Sequence, residues 1–152
     1  IAIGMERSTK DILKEKPRNP SVGILTPATM KQLGIQGILI AVVTMSAYFL
    51  GLKESWAIAT TMAFSTLCLS RLFHGFNCRS QRSLYRIGLF TNKYSILAFV
   101  IGFCFLNAIL LWQPLHSLFS VTTITMTQLF TIYGLALIPT ALIQLGRMLR
   151  HR

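Results

Sequence analysis

Formal charge is missing from three long stretches of this 152-residue chain, and those stretches set its plan. Gln32 to Leu52 holds 21 residues without a charge, Ser55 to Ser70 holds 16, and Tyr94 to Gly146 holds 53. A helix that crosses a bilayer needs about 20 mostly apolar residues, so the last stretch has room for two helices and a turn. The pattern predicts four spanning helices, over residues 33–52, 55–76, 94–113 and 128–146. A polar loop at residues 1–31 precedes this 32–146 bundle, and a short basic tail at residues 147–152 follows it. The fold class is an all-α, multi-pass membrane protein, with the lipid bilayer as its solvent.

In the loop, Glu6 to Pro20 reads ERSTKDILKEKPRNP. Pro17, Pro20 and Pro27 each remove a backbone donor and restrict the residue before them. An extended segment is expected there, with one short helical turn near Lys10 to Lys14. The first helix places Gly34, Gly37 and Ala41 at spacings of three and four, on one face where a neighbouring backbone can come close. Glycine is commoner in membrane helices generally, so only the spacing carries this expectation of inter-helix packing. Tyr48 and Trp56 bracket the Lys53–Glu54–Ser55 turn as interfacial aromatics. Trp112-Gln113-Pro114 ends the third helix, with the aromatic at the interface and the proline as a stop. His116 and the Ser/Thr-rich stretch to Thr127 make the outer turn. Pro139 is expected to kink the fourth helix. Asn107 and Gln144 sit among apolar residues, where a hydrogen bond between helices is the expected use.

Composition sharpens the class. The chain is 53% hydrophobic and 12% charged, with a mean hydropathy of +0.57. A soluble domain carries about 25% charged residues, roughly twice this supply. The net charge of +11 would suit nucleic acid if it formed a basic face on a folded soluble surface. Instead the basic residues fall between the apolar blocks, as an orientation signal does. Fourteen of the fifteen sort to one side: six in the first loop, Arg71 with four in the middle connection, and three in the tail. Lys53 stands alone on the other. The bias predicts that both ends of the chain lie in the cytoplasm, and nucleic acid is not an expected partner.

Candidate chemistry is sparse. Cys68, Cys78 and Cys104 show no metal-ligand spacing, and no disulfide is expected. There is no Gly-rich phosphate loop, no His/Cys/Asp cluster and no Ser–His–Asp set. The acidic residues are few and all lie in loops, so this chain offers no catalytic residue, cofactor ligand or metal ligand of its own. It begins Ile-Ala-Ile-Gly, without an initiator methionine or a signal-peptide pattern, and is expected to be a piece of something longer. The exception to the polar silence of the apolar blocks is Arg71, the one formal charge inside a spanning helix. A charge there is costly and asks for a purpose.

Several motifs carry a family resemblance. Gly4 to Pro20, GMERSTKDILKEKPRNP, resembles the cytoplasmic loop after the sixth helix of P-type calcium pumps; Gly4-Met5-Glu6, Lys10-Asp11-Ile12, Lys14 and Lys16-Pro17-Arg18 carry the likeness, while Leu13 replaces the usual methionine. Thr61-Met62-Ala63-Phe64 and the FHGFNCRS of Phe73 to Ser80 resemble the eighth helix and its exit in the same pumps. Tyr85-Arg86, Asn92-Lys93 and Leu137-Ile138-Pro139 fit in the same order. The resemblance covers essentially the whole chain. It implies the seventh to tenth helices of a bacterial-type calcium-transporting P-type ATPase, set in the plasma membrane. It further implies that the phosphorylated aspartate, the nucleotide domain and most ion ligands lie upstream of Ile1. Ca2+ would be the transported ion, and ATP with Mg2+ would belong to the intact pump. The partners would be the remaining transmembrane helices and cytoplasmic domains of the same polypeptide.

The resemblance also gives Arg71 a role. In animal pumps of the sarcoplasmic-reticulum type, the matching position is a glutamate that ligates one of two calcium ions. A guanidinium has only donors and cannot ligate a cation. Arg71 would then be a fixed internal cation paired with an acidic residue upstream, leaving one calcium per cycle. The alternative is that its stem snorkels to the interface about six residues away. His74 and Asn77, three and six residues on, are either further neighbours of an ion path or interfacial hydrogen-bonding groups. Two other readings compete: a free-standing four-helix protein that binds or regulates a partner, and a pump for Na+, Mn2+ or another cation.

Overall fold

The computed structural model describes residues 26–77 and 93–150. Residues 1–25, the basic connection at 78–92 and residues 151–152 lie outside the described residues, with the expectations attached to them. What is described is helical, with no strand among the described residues. We label the helices α1 (Pro27–Leu52), α2 (Trp56–Asn77), α3 (Lys93–Leu111), α4 (Gln113–Phe119) and α5 (Met126–Arg150). Four of them, all but α4, are long and apolar enough to cross a membrane. The chain is an all-α, multi-pass integral membrane protein.

Helices α1 and α5 start earlier than apolarity alone predicts. α1 opens at Pro27, not at residue 33, so the expected 1–31 loop gives up its last residues to the helix. Thr26 is extended (φ −78°, ψ 157°), and its hydroxyl accepts from the Thr29 amide at 3.2 Å. Pro27 then fits the first turn, where its missing N–H has no intrahelical partner to lose. α5 opens at Met126 through a reciprocal box. The Gln128 amide donates to Thr125 Oγ1 at 3.3 Å, and the Thr125 amide donates to Gln128 Oε1 at 2.8 Å. At its far end α5 runs on to Arg150, so residues 147–150 of the expected tail are helical. Arg, Met and Leu are good helix formers, and no proline follows Gly146 to stop them.

The outer turn is also more ordered than expected. α3 ends at Leu111, and Gln113 belongs to α4, which carries Pro114 in its first turn. The proline that closes one helix is well placed to open the next. α4 ends on Ser120 in the left-handed region (φ 52°, ψ 38°), and the Ser120 and Val121 amides both donate to the His116 carbonyl.

The centre of the bundle is α2, packed against α1 and α5, which also touch each other; α3 leans on α2. The core is built from Ala47 of α1, Met62 and Leu69 of α2, Leu106 and Leu110 of α3, and Leu129, Ile132 and Ala136 of α5. Alanines at 47, 59 and 136 keep the helices close. The closest approach is at Gly51, where an added Cβ would stand 2.7 Å from Ala59 Cα and 2.9 Å from Ala59 N. The short Lys53–Ser55 turn makes this possible, with the Glu54 and Ser55 amides both donating to the Gly51 carbonyl at 3.0 and 3.2 Å. Ser55 then caps α2 by accepting from the Ile58 amide at 3.1 Å.

Candidate functional site

α2 carries opposite chemistries on its two faces. Ala59, Thr61, Met62, Ser65, Thr66, Leu69 and Ser70 are buried, while Phe64 and Arg71 are exposed. At about 100° per residue, Arg71 lies across the helix from the centre of the buried set. The guanidinium therefore projects from the outward face of the bundle, into the space that lipid or another helix occupies. His74 is about 60° round the helix from it and Asn77 about 120°, so only His74 borders the Arg71 face. His74 is half-buried. Asn77 is the last residue of α2, and its side chain lies outside the described residues.

The buried face of α2 is polar as well as apolar. The Thr61 hydroxyl donates to the Ala57 carbonyl at 2.8 Å and accepts from the Thr122 amide at 3.0 Å. This second bond ties the segment ahead of α5 onto α2. Ser65 donates to the Thr61 carbonyl at 2.6 Å. Sequence reasoning gave none of these hydroxyls a bonding role, because Ser and Thr occur throughout apolar helices and only the packing shows which are enclosed.

The expected packing stripe on α1 has a different place from the one its spacing suggests. Gly34, Gly37 and Ala41 are exposed, and a Cβ added at Gly34 or Gly37 meets nothing within 4 Å among the described residues. The stripe points away from the face that holds Gln36, Val43, Ala47 and Gly51 against the rest of the chain. Within this chain, the close backbone approach on α1 is made by Gly51 instead. Its signal was present in the sequence: small residues at 51 and 59 flank a turn too short to let the helices part.

Asn107 is in contact with its neighbours by two bonds. Its amide Nδ2 donates to the Phe103 carbonyl at 2.8 Å, and the Tyr133 hydroxyl donates to its Oδ1, joining α3 to α5. A run of rings lies beside that bond: Phe73–Phe99 at 5.6 Å, Phe99–Phe103 at 5.8 Å and Phe103–Tyr133 at 5.9 Å between centroids. It links α2, α3 and α5 through the polarised faces and edges of aromatic rings. Gln144 is half-buried on α5. Cys68 is a half-buried free thiol and Cys104 an exposed one. No three of His, Cys, Asp and Glu come together among the described residues in a way that could hold a metal ion.

Four spanning helices built around a central α2 define a membrane helix bundle, with the charge of Arg71 directed outward from α2. Comparison with known proteins assigns it more closely. The family described as "Cation transporting ATPase, C-terminus" matches residues 1–149, and the chain belongs to that family. It is 32% identical over 146 residues to the calcium-transporting ATPase of Bacillus subtilis, a match covering 94% of this chain and 16% of that protein. It is 36% identical over 104 residues to a calcium-transporting ATPase of Listeria monocytogenes, covering 68% of this chain and 12% of the relative. The human calcium-transporting ATPase type 2C member 1 is 26% identical over 140 residues, covering 88% of this chain and 15% of its own length. The chain thus matches only 12–16% of the length of these relatives.

Proposed function

We propose that this chain is the C-terminal membrane support region of an ATP-driven cation pump that moves Ca2+ out of the cytoplasm. Membership of the cation-transporting ATPase family over residues 1–149 carries the reading, and the printed names of the relatives favour calcium. In this reading the chain catalyses nothing alone. ATP and Mg2+ would be held by cytoplasmic domains of the same polypeptide, and the ions by helices upstream. The sorting of basic residues supports cytoplasmic ends on both sides of the four helices, and the setting would be a bacterial plasma membrane.

Two outward features of the bundle suit a supporting role. The Gly34–Gly37–Ala41 stripe lets an upstream helix approach the α1 backbone closely, as small residues do in membrane interfaces. Arg71 supplies a fixed positive charge that pairs with an acidic group on the transport helices, with His74 at its border and Asn77 at the helix exit. Because a guanidinium offers donors only, it replaces an ion ligand with a charge that repels one. The expected cycle therefore moves one calcium ion per ATP.

The test is ATP-driven Ca2+ uptake into inside-out vesicles holding the full-length protein, with ATP hydrolysis counted in parallel. The reading expects saturable calcium uptake at one ion per ATP. A ratio of two sinks the Arg71 assignment, and ATP-driven uptake of Mn2+ or Na+ without Ca2+ sinks the ion.

A further inference from the structure

We infer that α1 and α2 enclose a binding site for an internal water molecule, formed by the hydroxyls of Thr44, Thr66 and Ser70. Thr66 and Ser70 are both 0% exposed, and neither hydroxyl oxygen has a hydrogen-bond partner among the described residues. Their neighbours behave otherwise. Thr44, Ser46, Thr61, Ser65 and Thr131 each donate to the carbonyl four residues back, at 2.6 to 2.9 Å. That local bond is how a membrane helix ordinarily satisfies a hydroxyl. Two enclosed hydroxyls that forgo it, on adjacent turns of one helix, point to a ligand between them.

The position of the pair follows from Gly51 and Ala59, whose backbones almost touch. Thr66 and Ser70 lie seven and eleven residues after Ala59, so at about 100° per residue they share its α1-facing side. α1 runs antiparallel, and seven and eleven residues before Gly51 are Thr44 and Ile40. With equal rise in both helices, Thr66 stands level with Thr44 and Ser70 with Ile40. The Thr44 hydroxyl spends its proton on the Ile40 carbonyl at 2.8 Å, and its oxygen still has acceptor capacity. Thr66 and Ser70 can each donate or accept.

Water is the small ligand that such a set fits. It needs two to four polar partners, and three hydroxyls spread over one helical turn of the α1–α2 seam supply them. The side chains that helical phase sets beside them, Val43, Ala47, Met62 and Leu69, are buried and apolar. Lipid on the outside offers nothing to an enclosed hydroxyl, so its bond must be made inside the protein. A charged ion does not suit three neutral hydroxyls in these surroundings. The site would join the two helices by hydrogen bonds at the level of the membrane interior, deeper than the tight turn that joins their outer ends.

Radiolytic hydroxyl-radical labelling of the purified full-length protein tests this, because a bound water generates radicals where bulk solvent cannot reach. Val43, next to Thr44, and Met62, one turn before Thr66, are 6% and 2% exposed, and Leu106 and Ile132 are comparably buried controls at 4% and 0%. With each residue's labelling rate divided by its own rate in the unfolded protein, so that the greater intrinsic reactivity of methionine cancels, the expected result is oxidation of Val43 and Met62 well above the two controls. Labelling no higher than the controls overturns the proposal, including the case where Thr66 simply turns to donate straight to Thr44. The near-isosteric double variant Thr66→Val, Ser70→Ala should bring both labels down to the control level. Labels that persist in it would show that these hydroxyls hold no water, and would overturn the assignment as well.

Discussion

The contact between Gly51 and Ala59 gives the sharpest stability prediction. A Cβ at position 51 would stand 2.7 Å from Ala59 Cα, 2.9 Å from Ala59 N and 3.1 Å from the Ile58 carbonyl carbon. All three are backbone atoms, so no side chain can swing aside. To restore ordinary contact the two helices must part by about 0.7 Å, the gap between 2.7 and 3.4 Å. A gap of that order forfeits about a quarter to a half of the dispersion attraction between the facing atoms. Overpacking a close-packed site costs about 1–3 kcal/mol, while alanine in a helix gains about 1 kcal/mol over glycine. Gly51→Ala should therefore lose up to about 2 kcal/mol net, and Gly51→Val more, since its branches add bulk without the same propensity gain. The assay is retention of a monodisperse peak by size-exclusion chromatography after heating the purified protein in detergent. Gly102→Ala is the informative control. Its Cβ would meet Leu72 Cδ2 at 2.8 Å, the free end of a side chain that can rotate, so its midpoint should stay close to wild type. If Gly51→Ala melts at or above the wild-type midpoint, the close approach is not what fixes the α1–α2 pair.

The other predictions concern single bonds. Tyr133→Phe and Asn107→Ala should each lower stability in the same assay by about 0.6 kcal/mol, the average worth of a hydrogen bond between membrane helices; because they share one bond, the double variant should lose less than the two singles added together. Thr125→Ala removes the cap of α5 and should cost about 0.5–2 kcal/mol, with hydrogen exchange quickening at the Gln128 amide first. Thr61→Val keeps the shape but leaves the Thr122 amide without its acceptor, which should raise the protease sensitivity of the segment around Val121 to Thr125 while α1 is unaffected. Arg71→Glu returns an acceptor to the position and should move the calcium-to-ATP ratio towards two; a ratio unchanged from wild type would mean that Arg71 has no part in the ion site.

The four spans were legible because exclusion of charge from hydrocarbon is a first-order effect, and 21 or 53 consecutive uncharged residues have few other meanings. Helix starts were less so. An apolarity count begins α1 at Leu33, yet Thr26 and Pro27 form a cap whose logic is polar and stereochemical. The Thr-x-x-Gln of Thr125 to Gln128 was likewise readable as a capping box, just ahead of the apolar run. The orientation of faces was the hardest part. Gly34, Gly37 and Ala41 have the spacing of an interface, but spacing fixes only that residues share a side, and not which neighbour that side meets. In lipid both sides of a helix can be apolar, so the alternation that reveals the inner face of a soluble helix is absent. Arg71 was found because it breaks the apolar pattern. Thr66 and Ser70 were not, because a hydroxyl breaks it too weakly.

The two faces of α2 make its length between Ala59 and Arg71 a matter of angular phase. Ser70 and Arg71 are adjacent in the chain, one enclosed against α1 and the other directed outward. Adding or deleting one residue anywhere in that interval turns everything beyond it by about 100°. An added residue would turn Ser70 out to the exposed place that Arg71 now holds, and a deleted one would turn Arg71 into the enclosed place of Ser70. A substitution at most of these positions changes one contact, whereas an insertion exchanges the inside of the helix for the outside. Lineages of this protein should therefore hold the residue count of α2 between Ala59 and Arg71 fixed even where its letters vary.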